Sequence, residues 1–191
     1  HVPEVGITAS DGTISLRIFV QARDQEEARA IWEPVERTIR DRLGHLVFGV
    51  DDEELQDAVM HLLKERRQTV ATAESVTAGL VSHRLSQVPG ASACLLGGIV
   101  CYDSRIKMDE LGVPANIIQE HTAVSAEAAR HLAIGIRRRF RSDWGLSVVG
   151  YAGPDAGPDG KPVGTTFVAV AGEHGTNVSH FQWPGTRREI Q

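Results

Sequence analysis

The chain has 191 residues, 41% hydrophobic and 24% charged, which leaves room for one large domain or a small domain joined to a medium one. Twenty Lys and Arg against 25 Asp and Glu give a net charge of -5, which argues against phosphate-backbone binding as the main function. No apolar stretch approaches the roughly 20 residues that span a bilayer, Cys94 and Cys101 form no CxxC pair, and the eight His lack HxxxH or HExxH spacing, so nothing points to a membrane span, a disulfide framework or a metal.

Val5–Ala9 and Ile14–Ala22 alternate apolar and polar residues around the Asp11-Gly12 turn and predict a hairpin. Asp24, with Glu27 three residues on, caps a helix on which Ala28, Ile31, Val35, Ile39 and Leu43 recur, and Pro34 is expected to kink or divide it. Leu46–Val50 is expected as a third strand, making residues 1–50 a small α+β unit of ββαβ order. A helix led by Asp51-Asp52 opens a second domain, 51–191, in which strands and helices alternate: Val70–Ala73 apolar, Thr77–Leu85 helical, Cys94–Tyr102 apolar, Ser104–Leu111 and Ser125–Phe140 helical, Leu146–Val149 apolar. Thr165–Ala171 and Asn177–Trp183 then read as a hairpin, so the sheet is expected to be mixed. The chain begins with His1 and stops at Gln191, where Thr186–Glu189 begins to look helical, and it reads as a fragment; without a charged-then-apolar leader its expected address is the cytoplasm.

In open α/β sheets ligands bind beyond the carboxyl ends of strands, and three such places carry chemistry-bearing residues. At Ala73-Glu74-Ser75-Val76-Thr77-Ala78-Gly79 a strand turns into a helix, where a serine oxygen would meet backbone donors; Ser75 or Thr77 as a plain helix cap is the other reading. At Tyr102-Asp103-Ser104-Arg105-Ile106-Lys107 a lysine of lowered pKa would serve as a serine's base, and Ser104-x-x-Lys107 offers a second pairing; an exposed Lys107 at a helix start is the alternative. Gly150-Tyr151-Ala152-Gly153-Pro154 opens a long Gly/Pro loop that is either a binding loop or a plain surface loop; Asp155 and Pro162 exclude a Walker motif.

Together these segments resemble the C-terminal domain of the CinA family, the nicotinamide mononucleotide deamidases, over roughly residues 65–191. Ala73-Glu74-Ser75 is similar to that family's A-E-S-C-T-G-G motif, and Gly97-Gly98-Ile99-Val100-Cys101-Tyr102 with Lys107 to its G-G-V-V-x-Y-S-N-x-x-K stretch. Gly150–Pro154 resembles G-I-A-G-P, Lys161–Thr165 K-P-V-G-T, and Phe181–Arg187 the F-P-G-D-R ending, while residues 1–50 resemble the KH-like middle domain of longer CinA proteins, which carry a further N-terminal domain.

The resemblance implies a three-layer α/β/α deamidase domain with a mixed sheet, lacking its C-terminal helix, behind a KH-like α+β domain. It implies hydrolysis of the carboxamide of nicotinamide mononucleotide to the acid and ammonia, without cofactor or metal, with Ser75 as nucleophile, Lys107 as base and Tyr102 assisting proton transfer. Glu74, Thr77, Ala78, Gly79, Gly98, Ala152, Gly153, Gly164, Thr165 and Arg187 are expected to bind the substrate, Arg187 at its phosphate, and a homodimer is expected. Val76, Ala78, Asp103-Ser104, Val149 and Thr186 depart from the family pattern; a methyl at Ala78 would matter if the turn needs φ > 0 there. The rival reading is a nucleotide-binding or regulatory module with an impaired site. RNA binding by residues 1–50 is disfavoured by six Arg, eight Asp plus Glu, no Lys and no G-x-x-G loop.

Overall fold

β1 (Glu4–Ser10) and β2 (Thr13–Phe19) pair antiparallel from Glu4 opposite Phe19 to Ser10 opposite Thr13 in a computed structural model that describes residues 3–10 and 12–191. The expected turn residue Asp11 lies outside the described residues. Asp24 caps α1 (Gln25–Leu43) by accepting a 2.8 Å bond from the Glu27 amide. Pro34 does not divide this helix: the ladder continues on both sides of the ring, and Thr38 Oγ1 donates back to Pro34 O at 2.9 Å. The expected third strand is replaced by a 3-10 turn, Gly44–Leu46, and an irregular stretch to Val50. Gly44, at φ 54, turns the chain at the helix end, and the Val47 amide bonds back to Gly44 O, closing a turn in place of a ladder.

The chain divides into one unit up to Asp52 and another over Glu53–Gln191. The second opens with α2 (Leu55–Arg66), which starts beyond Asp51-Asp52 because Glu54 and Asp57 close a capping box there. It continues through β3 (Val70–Glu74), α3 (Leu80–Ser86), β4 (Leu95–Val100), α4 (Ser104–Leu111), α5 (Ala115–His121), α6 (Ala126–Phe140), β5 (Trp144–Gly150), β6 (Thr165–Gly172), β7 (Gly175–Gln182) and α7 (Arg187–Ile190). The sheet order is β4-β3-β5-β6-β7, with β3 parallel to both neighbours and β6 and β7 antiparallel.

This is a three-layer arrangement with a mixed sheet. β3 lies between two parallel partners with helices over both faces, and all five of its residues are buried. Ala71 and Ala73 face α6, whose Ala128, Ala129, Leu132, Ala133 and Ile136 recur at helical spacing and are buried against the sheet. Truncating the fully buried Leu132 to alanine would cost about 2–5 kcal/mol. Val70, Thr72 and Glu74 point to the opposite layer, where Met60 and Leu63 of α2 pack with Leu85 of α3. No helix among the described residues is long and apolar enough to cross a membrane.

Candidate active site

β3 ends on a carboxylate that the next eight residues wrap. Glu74 is 1% exposed, and its oxygens accept from Thr77 Oγ1 (2.7 Å), the amides of Gly79 and Val81 (both 3.0 Å), and the amide and hydroxyl of Ser82 (2.8 and 2.6 Å). Burial pushes this carboxyl up, but the hydrogen bonds from Ser82, Thr77 and Val81 outweigh it and hold the group below its ordinary value. The chain circles the carboxylate before becoming helical, so α3 begins at Leu80 and not at the expected Thr77. The circle requires a left-handed backbone at Ala78, φ 51, and at Gly79, φ 105.

Glu74 and Thr77, expected to bind substrate, are therefore committed to each other inside the protein. Gly98 belongs to the same network. A Cβ there would stand 2.2 Å from Thr72 Oγ1 and 2.8 Å from Ser82 Oγ, and those two hydroxyls are themselves 2.6 Å apart beside Glu74. Gly98 is thus a packing glycine under the turn.

Ser75 points the other way. Its amide is tied to Val148 O of β5, and its Oγ lies 3.1 Å from Nζ of Lys107, on the first turns of α4. Asp103 caps α4 by accepting from the Arg105 amide at 2.8 Å, which sets the direction in which Lys107 projects. Lys107 is 1% exposed, and its amine also reaches Cys101 O (2.5 Å) and Tyr102 O (3.0 Å). Among the described residues it has no carboxylate partner. Burial lowers its pKa, and the influence of Cys101 and Asp103 offsets this only in part; burial also pushes the Cys101 thiol up, so Cys101 is not a thiolate counter-ion.

Two of the three Lys107 partners are carbonyls, which only accept. A neutral amine keeps two N–H donors for them and one lone pair, which then falls to the Ser75 hydroxyl. The arrangement suits a base that takes a proton from Ser75. Ser104, the other serine considered, opens α4 and makes no hydrogen bond to Lys107 among the described residues.

Tyr102 enters this arrangement by its main chain. Its exposed ring carries the hydroxyl elsewhere, to Arg187, which donates to Tyr102 Oη at 2.6 Å and to Gly153 O at 2.8 Å. Among the described residues the tyrosine hydroxyl makes no hydrogen bond to Ser75 or Lys107, and it is the Tyr102 carbonyl that holds the Lys107 amine. Arg187 has no carboxylate partner among the described residues, and it holds the strand-end residue Tyr102 to the loop after β5.

The remaining expected residues frame that loop. Gly164, at φ 91, donates to Tyr151 O at 2.7 Å, and a Cβ there would stand 1.9 Å from Trp183 O; Thr165 Oγ1 bonds Pro162 O and Gln182 Oε1. Gly164 is a close backbone contact, and the Thr165 hydroxyl is bonded inside the protein. Ala152 is buried with Val76, Val148 and Ile190. Sequence reading missed the chain end: Ile190 lies in this cluster and Gln191 Nε2 donates to Val76 O at 2.9 Å, for which four residues of α7 gave no periodic signal. Asp159 ties the loop to the α5–α6 junction by accepting from Thr122 Oγ1 at 2.8 Å, and it pairs with Lys161 within the loop. No group of three or more His, Cys, Asp or Glu among the described residues is placed to hold a metal.

Comparison with known proteins gives a consistent relationship. Residues 52–191 match the model of the CinA C-terminal domain, and residues 1–49 that of the damage-inducible protein CinA KH domain. A CinA-like protein of Prochlorococcus marinus is 41% identical over 97% of this chain and 43% of its own length. One of Thermosynechococcus vestitus is 41% identical over 97% of the chain and 45% of its own. The chain thus spans less than half the length of these relatives. Among solved structures, the competence/damage inducible protein CihA of Agrobacterium tumefaciens is 33% identical, with a TM-score of 0.70 over 75% of this chain and 88% of its own. A CinA superfamily protein of Escherichia coli is 25% identical, with a TM-score of 0.71 over 78% of this chain and 89% of its own.

Proposed function

Because the chain belongs to the CinA family, we propose that its Ser75–Lys107 pair makes it an amidohydrolase acting on the carboxamide of nicotinamide mononucleotide. The observation that carries the reading is the buried Lys107 amine, held by one hydroxyl and two carbonyls, with burial pushing it toward the neutral form.

Ser75 Oγ attacks the carboxamide carbon while its proton passes to Lys107 Nζ. The tetrahedral intermediate collapses as Lys107 returns that proton to the departing nitrogen, which leaves as ammonia. Water then attacks the acyl-serine ester, Lys107 takes its proton, and the C–O bond to Ser75 breaks with the proton returned to Oγ. The product is nicotinic acid mononucleotide. Arg187, with two of its five N–H groups used and no carboxylate partner among the described residues, would receive the 5′-phosphate. The test is ammonia release from nicotinamide mononucleotide by the purified chain, against a Ser75→Ala control; release no greater than the control defeats the reading.

A second reading, a nucleotide-binding module with an impaired site, draws on Ala78. Its methyl sits at φ 51, a conformation that costs an L-residue roughly 1–2 kcal/mol, in the turn that carries Ser75. Binding of nicotinamide mononucleotide without ammonia release is what that reading expects.

A further inference from the structure

The backbone donors around Ser75 can be accounted for one by one. From Ser75 to Ser82 there are eight amides, and six are committed: Ser75 to Val148 O, Ala78 to Ser75 O, Leu80 to Thr77 O, and Gly79, Val81 and Ser82 to the Glu74 carboxylate. The two that remain are Val76 and Thr77. Neither donates to any group among the described residues, although the two residues are 4% and 8% exposed. A buried N–H without an acceptor is costly and rare, so two in succession directly after a serine call for a reason.

We propose that the Val76 and Thr77 amides are the oxyanion donors of the Ser75 reaction, receiving the carbonyl oxygen as it becomes negative. This rests on the reading of Ser75 as the nucleophile. The start of α3 does not fill that role, because the Glu74 carboxylate already takes its amides and places a negative charge where an oxyanion would be repelled. Glu74 is then a positioning residue. By gathering Gly79, Val81 and Ser82 it turns the chain so that the two amides after Ser75 are left without an internal acceptor.

The test uses p-nitrophenyl acetate as an acylating probe on the full chain. Ser75 Oγ bonds to the acetyl carbon, the bond to nitrophenolate breaks, and the serine proton passes to Lys107. Replacing the Val76 or Thr77 N–H by an ester oxygen, through incorporation of the matching α-hydroxy acid, should slow acetylation of Ser75 by about 10²–10³-fold. The same exchange at Ala78, whose amide serves the turn, should cost only a factor of a few. Normal acetylation rates in folded 76 and 77 esters would overturn the proposal while leaving Ser75 as nucleophile; absence of acetyl on Ser75 by mass spectrometry would overturn both. A second measurement needs no variant. When phenylboronic acid adds to Ser75, the amide protons of Val76 and Thr77 should move furthest downfield of all in the turn, and their staying in place would equally defeat the assignment.

Discussion

Lys107 Nζ stands 3.1 Å from Ser75 Oγ although 32 positions separate the two residues. They meet because β3 and β4 are parallel neighbours: Ser75 is the first residue beyond one strand, and Lys107 lies one turn into the helix that follows the other. If the pair works as a unit, Ser75→Ala and Lys107→Met should each lower ammonia release by several powers of ten, and the double variant should be little worse than either. Ser104→Ala should cost a factor of a few. Loss of turnover in a folded Ser104→Ala protein, with Ser75→Ala largely active, would contradict the assignment.

The rate should rise with pH through the pKa of Lys107, which burial sets below the ordinary 10.5, because only the neutral amine accepts a proton. The sign carries over to stability. With its folded pKa below its unfolded one, Lys107 contributes stability that is present above 10.5 and is lost as pH falls through the folded value. Lys107→Arg should be inactive at every pH, since a guanidinium does not release its proton. A pH profile of kcat/KM that is flat or falls through this range would remove Lys107 from the role of base.

The pairing of Ser75 with Lys107 is legible through the resemblance to the CinA motifs; the residue pattern alone places both after the ends of apolar strands and leaves Ser104 as the other partner of Lys107. What Ser75 faces is not legible. A carboxylate beside a serine reads as a ligand group, and only the fold reveals that Glu74 turns inward, since strand alternation puts neighbours on opposite faces without saying which face is covered. The same limit explains α5, a seven-residue helix opened by Pro114 whose Ile117 and Ile118 are too few to set a period. Leu46–Val50 fails in the other direction: its apolar run suits a strand, but Gly44 closes the chain into a turn.

Ala78→Gly should stabilise the protein. The left-handed turn costs alanine roughly 1–2 kcal/mol, and the greater freedom of glycine in the unfolded chain takes back about 0.4–1, leaving a net gain near 0.5–1 kcal/mol. In a chain of this length that is a rise in Tm of about 2–4 °C per kcal/mol, measured by thermal melting. A lower Tm would mean that the Ala78 methyl packs well enough to offset its backbone.

Tyr102→Phe should keep most of the activity, because the ring's hydroxyl serves Arg187 while the main-chain carbonyl that holds Lys107 survives the change. Its effect should fall on KM, as Arg187 loses one of its two anchors. Arg187→Met should raise KM for nicotinamide mononucleotide more than for the unphosphorylated riboside. A fall in kcat of a thousandfold for Tyr102→Phe would return the hydroxyl to the proton path.

Ile190 packs beside Val76, and the Gln191 side chain holds the Val76 carbonyl, so α7 bears on the segment that presents Ser75. For anyone coupling a dye or a solid support through a side chain, Gln191 is therefore a poor anchor. A group attached there takes the place of the hydrogen bond to Val76 and sets its bulk and motion against the turn that carries Ser75.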